Sequence, residues 1–356
     1  MVGAGWWSAA SFARIVDVAA QAQTPDCSFR RVGPPELRAA LAAGGAFHDL
    51  VELATTEPML DLHVRAFARH AGERVGHATL YLGLTQVISL HQRGDRFWLD
   101  GPRTTKTFKA VCAPYFAGWT APRPLDELNA AASARGEYIA KAIVAEREVG
   151  QGRWTRSEGA LQAALSQWPE RFELLDRESV LQHSSDDVRR TYITHACAPA
   201  KAAANKLGYK KGIEKGFGNE LDGLAVDVSG RILVIEAKDG SDVVGVGWTP
   251  AQVSVYLRLL QRWVNESPQA AADLKDMLEQ RRQLGFPSSG TSVARPLHLV
   301  PVIVLKAPLA DVPRANRMMR DVRGALADEG EMLNGLEVWV ADGTELRAHD
   351  MGDPSR

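Results

Sequence analysis

The hydrophobic pattern changes character along the chain. Up to about residue 72, Ala-rich segments broken at Thr24-Pro25 and Gly33-Pro34-Pro35 read as mostly helical. Three short runs rich in β-branched and aromatic residues follow, at 77–82, 85–91 and 96–99, separated by Gly83-Leu84 and Arg93-Gly94-Asp95; they predict a meander. A helix over about 126–147 leads to a polar, glycine-containing joint at 149–156, where a domain boundary is placed. Beyond it the elements alternate: helices near 157–168 and 187–206, the second broken at Pro199, then a hairpin over 220–238. Helices follow from Pro250 and from Pro268, then a strand over 297–305, a helix over 315–327 and a last strand over 336–341. The pattern predicts an α/β chain, with an N-terminal α+β domain over 1–150, a mixed sheet flanked by helices over 151–345, and a flexible tail over 346–356. No internal repeat is visible.

The hairpin carries the candidate chemistry. Two apolar runs flank Ser229-Gly230, and whether Asp222 and Glu236 meet is a question of parity, because side chains alternate between faces along a strand. A two-residue loop would separate them. A three-residue loop, Val228-Ser229-Gly230 with the glycine in the left-handed region, pairs 227 with 231 and so 222 with 236. In that register Asp222, Glu236 and Lys238 project together, while Asp227 points to the other face beside Arg231. Two carboxylates on one face form an oxygen site suited to Mg²⁺, with the Ala237 carbonyl as a further ligand and Lys238 placed to steady an attacking water or a developing negative charge. The bland alternative is a set of solvated charges at a strand end. Against it stands the run 232–235, which is apolar on both faces, as in a strand covered on both sides, where an uncompensated carboxylate is expensive.

Asp222 followed by Glu236-Ala237-Lys238 resembles the signature of the PD-(D/E)XK nuclease superfamily, and Gln252-Val-Ser-Val-Tyr256 looks like the Gln-x-x-x-Tyr element of its RecB-type members. The resemblance covers about residues 155–342, with Leu221 where the family often has proline. It implies a restriction-endonuclease-like fold and a nuclease dependent on Mg²⁺, for which Mn²⁺ can substitute. It also implies Gln252 in the site and defence against foreign DNA as the setting; the run from Ser157 to Trp168-Pro169 is similar to the opening helix of Shedu-like defence nucleases. Gln252 has a second reading, because Thr249-Pro250-Ala251-Gln252 is a capping box. Tyr256 equally belongs to a core stripe with Val253, Leu257, Leu260 and Val264. Glu158 is the best-placed extra acid, but a solvated first-turn glutamate after a serine cap accounts for it, and it is left outside the site.

Charge narrows the partners. With 42 basic against 43 acidic residues the chain is no globally basic polyanion binder, so a nucleic-acid surface has to be local. Seven basic residues between Asp187 and Lys215 provide one, with Lys206, Lys210, Lys211 and Lys215 expected to follow a phosphate backbone. Residues 103–109 are a weaker basic run. Cys27, Cys112 and Cys197 lack the spacing of a zinc site or a disulfide framework, and His63, His70, His77 and His91 lack metal-ligand spacing. No signal peptide and no run long enough to span a membrane is read, so the expectation is cytoplasmic. The sequence therefore predicts a Mg²⁺-dependent endonuclease, acting on DNA, self-associating, with an N-terminal domain that recognises a partner. An RNA-directed nuclease and an inactive binding module on a nuclease fold are the alternatives.

Overall fold

The segments of extended pattern form two separate larger sheets in the computed structural model, which describes residues 27–29, 31–68, 74–101, 113–116, 118–150, 158–208, 220–330 and 333–351. The N-terminal part contains β1 (Cys27–Ser28), α1 (Pro35–Leu41), α2 (His48–Thr56), β2 (Leu60–Ala68), β3 (Arg74–Leu82), β4 (Thr85–Arg93), β5 (Arg96–Asp100), β6 (Arg123–Pro124), α3 (Leu125–Ala131) and α4 (Arg135–Gly150). Strands β2 to β6 pair in chain order as an antiparallel sheet. The meander is as expected, but β2 is a strand where the Ala-rich surroundings suggest helix. Its alternation explains this: Leu60, Leu62 and Val64 enter the apolar core of this part, while Asp61, His63 and Arg65 point the other way.

The second part contains α5 (Glu158–Ala164), a 3₁₀ turn at Leu165–Gln167, β7 (Phe172–Asp176), β8 (Gln182–His183), α6 (Asp186–Lys206), β9 (Gly223–Asp227), β10 (Ile232–Asp239), α7 (Val243–Glu266), α8 (Ala270–Gln283), β11 (Leu299–Lys306), α9 (Val312–Asp328), β12 (Glu337–Asp342) and β13 (Glu345–Ala348). Six strands form a mixed sheet in the order β13-β12-β11-β10-β9-β7, with β10, β11 and β12 parallel and the remaining pairings antiparallel. Both faces of β10 are covered. Ile232 and Val234 pack with residues of α6, α7 and α9, and Leu233 and Ile235 pack in a cluster with Leu161, Trp168 and, from β11, Val300, Val302 and Val304.

Four further elements differ from the sequence reading. Strand β7 lies between the expected helices at 157–168 and 187–206, where no element was read; all five of its residues are buried, so it shows no polar alternation. Helix α7 begins at Val243, capped by the Asp242 carboxylate, which accepts from Gly245 N at 2.9 Å, so Thr249-Pro250 lies inside the helix and is not its start. Pro250 has no N–H to give the Val246 carbonyl, and the Thr249 hydroxyl donates to that carbonyl at 2.7 Å instead. Helix α6 likewise continues through Pro199. At the C-terminal end, β13 pairs with β12 and buries Leu346 where a tail was expected from 346.

The two parts meet through buried charge. Arg65 donates twice to Asp176 Oδ1, at 3.0 and 2.8 Å, and His63 lies between Asp61 (2.5 Å) and Asp176 (3.2 Å). Arg31 stands 3.4 Å from Asp176, and Arg281 stands 3.7 Å from Asp61. Burial would drive both acids towards the neutral form. The surrounding cations outweigh it, holding Asp61 down at about 2 and Asp176 lower still. Apolar packing also crosses over, since Phe29 enters the core of the second part while Leu284 and Phe286 enter that of the first.

Candidate active site

The β9–β10 turn sets the site. Ile232 pairs with Val226 and Ile235 with Gly223, so continuing the register puts position 222 opposite 236. The loop is the three-residue Val228-Ser229-Gly230: Asp227 N donates to Arg231 O at 3.0 Å, Gly230 N donates to Asp227 O at 2.8 Å, and Gly230 has φ +82°. Asp227 is consumed by the turn, accepting from Ser229 N, Arg231 N and Arg231 Nε at 2.9, 2.8 and 2.6 Å. A side chain at position 230 has no room, because its Cβ would lie 2.4 Å from the Ser292 carbonyl oxygen.

At the other end of the hairpin stand the three expected residues. Asp222 Oδ2 accepts from Ala237 N at 2.8 Å, and its Oδ1 accepts from the Gln162 amide at 2.9 Å. Glu236 is 1% exposed, and its Oε2 has no hydrogen-bond partner. Lys238 Nζ donates to Glu158 Oε2 at 2.7 Å and lies 3.8 Å from Glu236 Oε1. Burial and the Glu158 carboxylate push Asp222 up to about 7 against the Ala237 N–H and Lys238; burial and Asp222 push Glu236 well above the carboxylate range. Burial opposes the charge on Lys238, but Glu236 and Glu158 raise its pKa on balance. A buried and a half-buried carboxylate crowded beside one cation form a site that favours a further positive charge.

Helix α7 passes beside this cluster. A Cβ on Gly245 would lie 3.3 Å from Lys238 Cδ, and burial, then Glu236 and Asp222, raise the pKa of the Tyr256 hydroxyl. Gln252, one turn before Tyr256, is half-buried, and none of the hydrogen bonds found among the described residues joins it to Asp222, Glu236 or Lys238.

Two site residues were not expected. Glu158 was set aside as a solvated cap residue, yet it is the direct partner of Lys238. Gln162 was not singled out at all. The spacing of these two, i and i+4 on one helix, is the available signal, because it puts them on one face. Of the lysines assigned to a phosphate backbone, Lys206 ends α6 and pairs with Asp328, while Lys210, Lys211 and Lys215 lie outside the described residues. His63 belongs to the buried charge network, and the ring of His91 stacks on Trp98 at 5.0 Å. Cys197 is buried and free. Among the described residues no group of three or more His, Cys, Asp or Glu is arranged to hold a metal ion, and no helix is long and apolar enough to cross a membrane.

No family model matches this chain, and neither curated proteins nor solved structures give a match.

Proposed function

We propose that the protein is a divalent-cation-dependent nuclease with Asp222, Glu236 and Lys238 at its centre. The observation that carries this reading is Glu236 Oε2, a buried carboxyl oxygen without a hydrogen-bond partner, beside a second, half-buried acid, Asp222. A buried carboxylate oxygen that receives no hydrogen bond is costly in a folded protein unless a cation joins it. Asp222, Glu236 and the Ala237 carbonyl would hold Mg²⁺ or Mn²⁺, a donor set of hard oxygens completed by water and substrate phosphate. When bound, such an ion polarises a phosphodiester, lowers the pKa of bound water and neutralises the leaving oxygen.

The protein's own groups have separate tasks. Ala237 N and the Gln162 amide fix both oxygens of Asp222. Glu158 holds the Lys238 ammonium by one hydrogen bond, leaving two of its protons for a phosphoryl oxygen or an attacking water. A mixed sheet covered on both faces, with Asp222 just before β9 and Glu236 within β10, is the arrangement that the PD-(D/E)XK resemblance implies. DNA as substrate, defence against foreign DNA, self-association and a cytoplasmic location belong to the same proposal.

The test is incubation of the purified full chain with plasmid, linear DNA, single-stranded DNA and RNA, in Mg²⁺, Mn²⁺ or EDTA. Cleavage of DNA with either metal, absent in EDTA and in Lys238→Ala, is expected. Cleavage of RNA alone would move the substrate class, and no cleavage in any arm together with no calorimetric metal binding would end the reading. For the setting, cells expressing the protein should resist phage and cells expressing Lys238→Ala should not.

A further inference from the structure

Gln162 is 2% exposed and lies between the two parts of the molecule. Its Nε2 donates to Asp222 Oδ1 at 2.9 Å, and its Oε1 accepts from Arg177 Nη2 at 3.0 Å. An amide can be turned either way in principle, but here the chemistry decides. A guanidinium has donors only, so the amide oxygen has to face Arg177 and the NH₂ group has to face Asp222. Arg177 is itself fully buried and oriented by the N-terminal sheet: Nη2 donates to Gly83 O at 2.7 Å, Cζ stands 4.9 Å over the Tyr81 ring, and Nη1 is 3.9 Å from Asp61. The helix that carries Gln162 rests on the same place. A Cβ on Gly159 would come within 2.8 Å of Leu84 N, so α5 sits directly on the β3–β4 turn and requires glycine there.

We propose that Gln162 is a positioning residue for Asp222, and that the N-terminal sheet sets its orientation through Arg177. This rests on the reading of Asp222 and Glu236 as the metal-holding pair. The N-terminal part then does more than select a partner. It completes the site, because the chain of contacts Gly83–Arg177–Gln162–Asp222 runs from its β3–β4 turn to a metal-holding oxygen. Outer partners of this kind fix the direction of a ligand's lone pairs, and their loss commonly weakens metal binding about 10- to 100-fold.

Calorimetric titration of the full chain with Mn²⁺ tests the proposal. Gln162→Met, close to it in shape but without an amide, should bind Mn²⁺ about 10- to 100-fold more weakly, and Arg177→Met should do the same although Arg177 touches neither acid. Gln162→Asn keeps the amide on a stem one methylene shorter and serves where the methionine variant does not fold; weakened binding is expected there too. Wild-type affinity in a folded Gln162 or Arg177 variant would overturn the proposal. A second readout needs no metal: the side-chain amide NMR signals of Gln162, identified by their loss in the Gln162 variant, should move in both Asp222→Asn and Arg177→Met. Signals that stay in place in either would overturn the relay whether or not metal binds. Moving signals in a wild-type chain that binds no Mn²⁺ would uphold the relay while ending the proposed function.

Discussion

Lys238 donates to Glu158 at 2.7 Å across eighty positions of sequence, and this ion pair joins α5 to the end of β10. Lys238 and the two acids beside it, Asp222 and Glu236, should respond differently to mutation. Lys238→Ala should lower cleavage at least 100-fold while leaving Mn²⁺ affinity within a few-fold of wild type, since the amine acts on the transition state and holds no metal. Asp222→Asn and Glu236→Gln should lose cleavage and metal binding together. Full activity in purified Lys238→Ala would remove that residue from the site.

The raised pKa of Asp222 makes a prediction about pH and stability. An aspartate in an unfolded chain titrates near 3.9, whereas this one titrates at about 7 in the fold. The folded state therefore holds the proton more tightly, so this contribution to stability is complete below about pH 4 and is lost as pH rises through about 7. Without metal, the wild-type melting temperature should fall relative to Asp222→Asn between pH 5 and 8, with each kcal/mol worth about 2–4 °C. Mn²⁺ should reverse the trend, because deprotonation frees the ligand. Parallel melting curves for the two proteins over this range would contradict the assignment.

Asp176 is the acid on which Arg65, Arg31 and His63 converge. Asp176→Ala leaves those groups buried without their counter-charge, and should cost about 3–5 kcal/mol in chemical denaturation. A loss below about 1 kcal/mol would mean that water reaches the cluster. A fragment starting near Gly152 loses Asp61, His63, Arg65 and Gly83 together, so it is expected to aggregate; a soluble, cooperatively melting fragment would refute that.

The turn can be tested through Gly230. Positive φ alone would admit asparagine there more readily than valine, but any Cβ meets the Ser292 carbonyl oxygen, so Gly230→Asn and Gly230→Ala should each cost about 2 kcal/mol or more. Deleting Ser229 tests register separately. A two-residue loop would turn Glu236 and Lys238 away from Asp222, and metal-dependent cleavage should disappear. A folded deletion variant that cleaves normally would show that the hairpin does not assemble the site.

What could be read beforehand depended on whether the controlling forces were local. The meeting of Asp222 and Glu236 follows from loop parity, a property of a few adjacent residues, and the register agrees with it. Strand β7 was not legible, because Glu173 and Asp176 look like solvent-facing charges until Arg282, Arg65 and Arg31 arrive from distant parts of the chain. The true start of α7 was hidden by a local signal that was correct in type but not in use: Thr249 does bond the backbone beside Pro250, as a repair inside a helix and not as a cap. Glu158 and Gln162 became site residues only once tertiary packing had set α5 against β10, which no spacing near Asp222 could announce.

The outer strand β13 bears on how copies of this chain could associate. It is four residues long, and Glu345 and Arg347 pair with one another on its exposed surface. A short, charged border is a poor template for another strand, since an incoming chain would gain few backbone bonds and would have to displace an existing ion pair. This edge of the sheet is thus a poor place for sideways growth into aggregates.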